Sequence, residues 1–277
     1  MLVTRGYHAL ALDFSLAIED DALGHHLEWL LAGFPESSSP AYYVVGASED
    51  DPQLVVLRQD AETVLQAADA DSFATTLVTW INQQAIDPEY AVMVHAGGVA
   101  RGRLACVLPA DPESGKTTLT TGLVRAGYSY LTDEAVSFDW ATAEIEPFPK
   151  PLSIDPGSQF LFPELRPRIR SARETSAQWQ VPPASIRHDA AGGRCQAALV
   201  VFPRYDEDAS TSLVPMTRAE GLIELAKNTF QFRERPRPAL ELLARVVRDV
   251  DCYRLHVGDL DTACAVVGEL MDGLGDG

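Results

Sequence analysis

The chain has 277 residues, with 22 lysines and arginines against 40 aspartates and glutamates, for a formal net charge of −18. That length allows one large domain, or a domain with an extension. The acidity excludes nucleic acid and anionic membrane surface as nonspecific partners. No basic-then-apolar segment opens the chain, and no apolar run approaches about 18 residues, so a cytoplasmic location with no membrane partner is expected. The four cysteines, Cys106, Cys195, Cys252 and Cys264, form no Cys-x-x-Cys pair and read as reduced, partly buried thiols.

Residues 1–88 read as an N-terminal β-rich α+β extension that could recognise a substrate. Tyr7 to Phe14 alternates as a strand does, and Leu23 to Leu31 has helical spacing before Gly33. His25 and His26 are adjacent and face different directions on a helix, which suits solvation or capping better than a metal. Tyr42 to Val45 and Leu54 to Leu57 flank an acidic turn and predict a hairpin. A helix is predicted over 71–86, with Phe73, Leu77, Trp80 and Ile81 on one side and Asp71 or Ser72 as its cap.

From residue 89 the chain reads as one α/β domain. Tyr90 to His95 predicts a strand, and Gly97-Gly98 permits a turn close to another backbone or a ligand. Leu104 to Leu108 is an apolar run typical of a buried strand. A loop from Pro109 to Ser114 leads into Gly115-Lys116-Thr117-Thr118, which opens a helix with Leu119, Leu123 and Ala126 on one face. Gly127 closes it, Tyr128 to Leu131 is a second strand, and Asp133-Glu134 stand at its end. Strand, phosphate-sized loop, helix, strand and acidic pair make the layout of a P-loop nucleotide site. Amides from Ser114 to Thr118 would form the anion cradle, Lys116 would reach the outer phosphates, and the Thr117 hydroxyl would ligate Mg²⁺. Two positions depart from the pattern. Ala110 stands where a glycine is usual, at about 1–2 kcal/mol if a left-handed turn is required there. Glu113 brings a carboxylate beside the phosphates.

The remainder holds strands at Val136 to Trp140, Ile145 to Ile154, Ala197 to Pro203, Thr211 to Val214 and Cys252 to His256. Helices are expected at Arg218 to Lys227, Pro238 to Val247 and Leu260 to Met271, the last capped by Asp259 or Asp261. Lys150, between two prolines, suits a fixed cation near phosphate or an exposed strand edge. Arg204, at a strand end, is a second candidate for phosphate. Residues 156–194 lack periodicity and carry a basic cluster at Arg166, Arg168 and Arg170.

His95-Ala-Gly-Gly-Val99 and LPADPESGKTTLTTGLVRAGYSYLTDEAV together resemble the HPr kinase/phosphorylase superfamily, and most of all its smaller HprK-related bacterial kinases (the HprK-related kinase A type). Those share a loop beginning Leu-Pro-Ala, as Leu108-Pro109-Ala110 does here; Phe148 to Leu152, Val201 to Tyr205 and Cys252 to Leu255 add to the likeness. The resemblance covers roughly residues 90–270 and implies a P-loop kinase core of the HPr kinase and phosphoenolpyruvate carboxykinase type, with a mixed β-sheet, over 89–277.

It also implies an ATP- and Mg²⁺-dependent kinase, with Asp133, Glu134, His95 and Lys116 as catalytic residues. Ser114, Gly115, Lys116, Thr117, Thr118, Lys150 and Arg204 would bind the nucleotide or the transferred phosphoryl, and Thr117 and Asp133 would hold the metal. The family's acidic pair is two aspartates, so Glu134 leaves open which acid is the base. The implied acceptor is a hydroxyl, of serine above all, on a peptide (a ribosomally made one included), a small protein or a small molecule. A homo-oligomer is compatible with the wider family. The competing expectations are a noncatalytic nucleotide-binding module and a phosphorylase that reverses phosphorylation.

Overall fold

The computed structural model describes residues 1–111, 114–167, 178–206 and 208–274. It is a mixed α/β protein with mixed sheets, divided into two compact units: residues 1–86 with 150–185, and residues 87–149 with 186–277. The segment 150–185, which the sequence reading assigned to the domain starting at 89, packs in the first unit.

The first unit begins with β1 (Leu2–Val3), β2 (Tyr7–Ala9), β3 (Leu12–Ile18), α1 (Asp21–Leu30), β4 (Ala41–Ala47), β5 (Val55–Gln59), β6 (Glu62–Ala67) and α2 (Ala70–Ala85). Its sheet runs β1-β3-β4-β5-β6, with β2 paired on β3. Strands β3 and β4 are parallel because α1 carries the chain across between them, and the other pairs are antiparallel. The expected hairpin is β4–β5; β6 follows it as a strand whose mostly exposed residues offered no apolar alternation to read. Helix α2 buries Phe73, Leu77 and Ile81, and the Trp80 ring meets Tyr43 edge-on at 5.2 Å. Its cap is Asp69, two or three residues earlier than expected: the Asp69 carboxylate accepts from the Ser72 amide at 2.8 Å, and the Ser72 side chain answers in a capping box. Such a cap contributes about 1 kcal/mol.

The second unit contains β7 (Val92–Arg101), β8 (Leu104–Pro109), α3 (Lys116–Arg125), β9 (Ser129–Thr132), β10 (Ala135–Phe138) and β11 (Ile145–Glu146). After the first-unit pair β12 (Leu152–Ile154) and β13 (Trp179–Val181), it resumes with β14 (Gln196–Tyr205), β15 (Ser212–Met216), α4 (Arg218–Lys227), α5 (Pro236–Val246), β16 (Asp251–Val257) and α6 (Leu260–Gly273). The eight-stranded sheet has the order β11-β10-β7-β8-β14-β16-β15, with β9 also on β7. Strands β8, β14 and β16 run parallel. One face buries Val94, Val107, Val200, Phe202 and Cys252 with Leu225, Leu242 and Leu243 of α4 and α5. The opposite face receives α3, which also packs on α6.

Strand β7 runs unbroken through Gly97-Gly98, so the expected turn is absent. The reason is close packing on both faces. A Cβ on Gly97 would meet the Thr120 hydroxyl oxygen of α3 at 2.3 Å, and one on Gly98 would meet Val136 and Leu131 at 3.2 and 3.3 Å. Glycine at 97 thus lets α3 lie directly on the sheet. All four cysteines are free, with Cys106, Cys195 and Cys252 buried. Among the described residues no helix is long and apolar enough to cross a membrane.

Gly97→Ala is expected to lower stability by about 1–3 kcal/mol through overpacking. Adding Thr120→Ala removes the clashing oxygen, so the double variant should recover most of the loss in chemical denaturation.

Candidate functional site

The loop between β8 and α3 lies at the C-terminal end of a parallel strand in the middle of the sheet. Gly115 holds φ +85° and ψ 14°, a left-handed conformation that suits glycine. It has no side chain with which to cap the helix, so the N-terminal amides of α3 are left to some other acceptor. Ala110 is buried and is not among the described non-glycine residues with positive φ. The substitution of glycine there therefore carries no left-handed strain. The Ser114 hydroxyl donates to the Asp111 carbonyl and tightens the loop. Pro112 and Glu113 lie outside the described residues.

Lys116 is buried and its ammonium turns back over the loop, donating to the Asp111 carbonyl at 2.9 Å. Burial draws it below the usual lysine value, while the carboxylates of Glu134, Asp133 and Asp111 oppose that shift. In the first turn of α3, the Thr117 hydroxyl donates to Asp133 Oδ2 at 3.0 Å. The other carboxylate oxygen accepts from the Tyr130 phenol at 2.7 Å. Burial and the Asp133 charge hold that phenol well above its ordinary value, so it remains a donor.

Asp133 and Glu134 occupy a break in what is otherwise one line of pairing along β7. Thr132 pairs with Gly98 and Ala135 with His95. Between them the Thr132 hydroxyl accepts the amides of Glu134 and Ala135 at 3.0 and 3.2 Å, a side-chain turn that bends the chain. The Glu134 carbonyl accepts from the Ala96 amide at 3.1 Å, which ties the bend to β7. The bend carries the Asp133 side chain to α3.

His95 lies beside this bend. β8 ends opposite Ala96, and beyond it the free edge of β7 is taken by 228–230: the His95 amide donates to the Asn228 carbonyl at 2.7 Å, and the Phe230 amide to the Met93 carbonyl at 2.9 Å. The Phe230 ring stands edge-on to the imidazole at 5.4 Å. Strand alternation puts His95 on the same face as Gly97, the face that α3 covers. Burial and the Lys116 charge lower the His95 pKa to about 4, against the pull of Asp111 and Asp133, so its imidazole is neutral at pH 7.

The structure thus brings together His95, Ser114, Gly115, Lys116, Thr117, Asp133 and Glu134 in the second unit, with Thr118 in the first turn of α3. Lys150 belongs to the first unit and is buried; its ammonium donates to the Pro151 carbonyl at 2.9 Å and the Ser153 hydroxyl at 3.3 Å. Arg204 is exposed near the end of β14, two residues after Phe202 on the face that carries α4 and α5. Its neighbour Tyr205 takes the opposite face by strand alternation, with its Cβ 3.8 Å from where a Cβ on Gly115 would lie. Sequence reasoning missed Tyr130 as a partner of Asp133, because a tyrosine in a short apolar strand reads as core. Arg168 and Arg170 of the basic cluster lie outside the described residues.

Two oxygen ligands, Thr117 and Asp133, suit Mg²⁺, which keeps most of its coordination for water and substrate oxygens. Among the described residues no group of three or more His, Cys, Asp or Glu side chains is placed to hold a metal.

No family model matches the chain. No curated protein matches it either. Among solved structures, the Hpr(Ser) kinase/phosphatase from Coxiella burnetii matches with 9% identity and a TM-score of 0.33, over 65% of this chain and 95% of that one.

The His95 shift carries a pH signature. Its folded value of about 4 lies below the model-peptide 6.5, so between these the unfolded chain binds more protons. Its contribution to stability is complete above pH 6.5 and is lost as the pH falls toward 4. Denaturation of wild type and His95→Gln at pH 7.5 and 5 should show a smaller loss in the variant.

Proposed function

We propose that the second unit transfers a phosphoryl group from ATP to a hydroxyl. The observation that carries this reading is the Thr117–Asp133 hydrogen bond at 3.0 Å. It joins the start of the helix after a left-handed glycine loop to a buried carboxylate, beside a buried lysine folded over the same loop. That combination is what phosphate and a metal ion need: amides and an ammonium for the anion, oxygens for the cation.

In this reading the amides of Gly115 to Thr118 and the Lys116 ammonium bind the triphosphate. On nucleotide entry Lys116 exchanges the Asp111 carbonyl for phosphate oxygens. Thr117 and Asp133 would hold Mg²⁺, which would supply neutralisation of charge on the outer phosphates. Asp133 is engaged through both of its oxygens, by Thr117 and Tyr130. With Asp133 left to the metal, the base is assigned to Glu134, whose charge acts on Lys116. Glu134 takes the proton from the acceptor hydroxyl as that oxygen bonds to the terminal phosphorus. The bond from phosphorus to the bridging oxygen breaks, and the diphosphate leaves with the electron pair. His95, neutral at pH 7, offers a hydrogen bond without adding charge. Catalysis of this kind rests on positioning and charge stabilisation. A serine hydroxyl of a peptide or small protein is the acceptor class proposed, with residues 1–88 as a candidate recognition element.

Calorimetric titration with ATP and Mg²⁺ should show binding in the wild type that Lys116→Ala weakens by on the order of 10²-fold. Asp133→Asn and Glu134→Gln should retain ATP while transfer to a serine-containing peptide library falls by on the order of 10²–10³-fold. Equal ATP binding by wild type and Lys116→Ala would sink the reading. Binding without transfer to any hydroxyl would leave a nucleotide-binding module.

A further inference from the structure

The loop has two flanks, and the acidic pair occupies only one of them. β7 carries Asp133 and Glu134 on one side of β8, and β14 runs parallel to β8 on the other. β14 ends at Tyr205, in register with Val257 of β16. Alternation along β14 puts Val200, Phe202 and Arg204 on the α4 and α5 face, so Leu199, Val201, Pro203 and Tyr205 share the face of α3. The distance to the loop agrees: a Cβ built on Gly115 would lie 3.8 Å from the Tyr205 Cβ. The chain therefore sets a large aromatic side chain beside the turning glycine of the loop, yet leaves it 55% exposed. A tyrosine placed there and more than half exposed is open to a ligand lying along the loop.

From this arrangement, and resting on the phosphate reading above, we infer that Tyr205 is a stacking platform for the base of the bound nucleotide. A nucleoside triphosphate is a polar chain with an aromatic ring at one end. With its terminal phosphate toward Asp133 and Glu134, its body crosses the helix N-terminus away from β7, and its base arrives on the β14 flank. A phenol ring there gains contact with any base, because every base has a π-face. A ring face does not read the hydrogen-bonding edge of the base. The subsite therefore takes ATP and GTP alike and separates both from phosphates that lack a base. Glycine at 115 provides the left-handed turn of the loop beside Tyr205.

The test is titration of Mg²⁺ with ATP, GTP or inorganic triphosphate into wild type, Tyr205→Ala and Tyr205→Phe, with thermal unfolding as the check on folding. Tyr205→Ala should raise the dissociation constants of ATP and GTP together by about tenfold. Inorganic triphosphate should bind unchanged, and Tyr205→Phe should keep the wild-type values. ATP affinity unchanged in Tyr205→Ala, or triphosphate weakened as much as ATP, would overturn the stacking role while leaving the phosphate loop intact. A wild type that binds neither triphosphate nor ATP would overturn the phosphate reading and this inference with it.

Discussion

The second unit depends on how closely α3 can approach β7. Gly97 has no side chain, and a Cβ there would clash with the Thr120 hydroxyl at 2.3 Å. At that separation the first turn of α3 comes within hydrogen-bonding reach of the bend at Asp133. Gly122 does the same on the other side of the helix, where a Cβ would meet the Cys264 sulfur at 2.6 Å. Thus α3 is held between sheet and α6 by two absent side chains. The position of its N-terminus follows from packing, and the Thr117–Asp133 bond follows from that position. Packing at this density leaves no room for an added methyl group.

Electrostatics at the site run against the composition of the chain. With a net charge of −18 and three lysines, the protein places one lysine where burial disfavours its charge and three carboxylates favour it. The Lys116 charge in turn helps keep His95 neutral. The result is one cation and one uncharged imidazole among carboxylates. The Asp111 carbonyl holds the Lys116 ammonium meanwhile, which spares it the cost of a buried, unpaired charge.

The second unit was legible wherever local chemistry dictates local structure. The apolar run 104–108, the glycine at the helix start and Gly127 at its end mark β8 and α3 to within a residue or two. Strand β6 was not legible, because its side chains are mostly exposed and its stability comes from pairing with β5. The cap of α2 was displaced because Asp69, Asp71 and Ser72 are all capping types, and only the backbone at Asp69, extended at φ −162° and ψ 174°, selects among them. Gly97-Gly98 reads as a turn by composition, yet here it serves packing on two faces of a continuous strand.

The amino-acid sequence by itself determined the loop, its lysine and threonine and the acidic pair downstream, since these are set by residue type and by spacing within one strand–loop–helix–strand segment. Tertiary structure alone decided which neighbours they meet. Tyr130 reaches Asp133 because the chain bends at Thr132, 228–230 takes the edge of β7 because β8 stops short, and the Tyr205 Cβ comes beside Gly115 because β14 runs parallel to β8. The division of the chain is of the same kind, with residues 150–185 packing with 1–86 across a gap in sequence. The physical reason is common to all of them. Hydrogen bonding within a turn of helix or a strand end is local and leaves a pattern in the residues. Pairing and packing between distant segments depend on shape and register, which no short window of sequence contains.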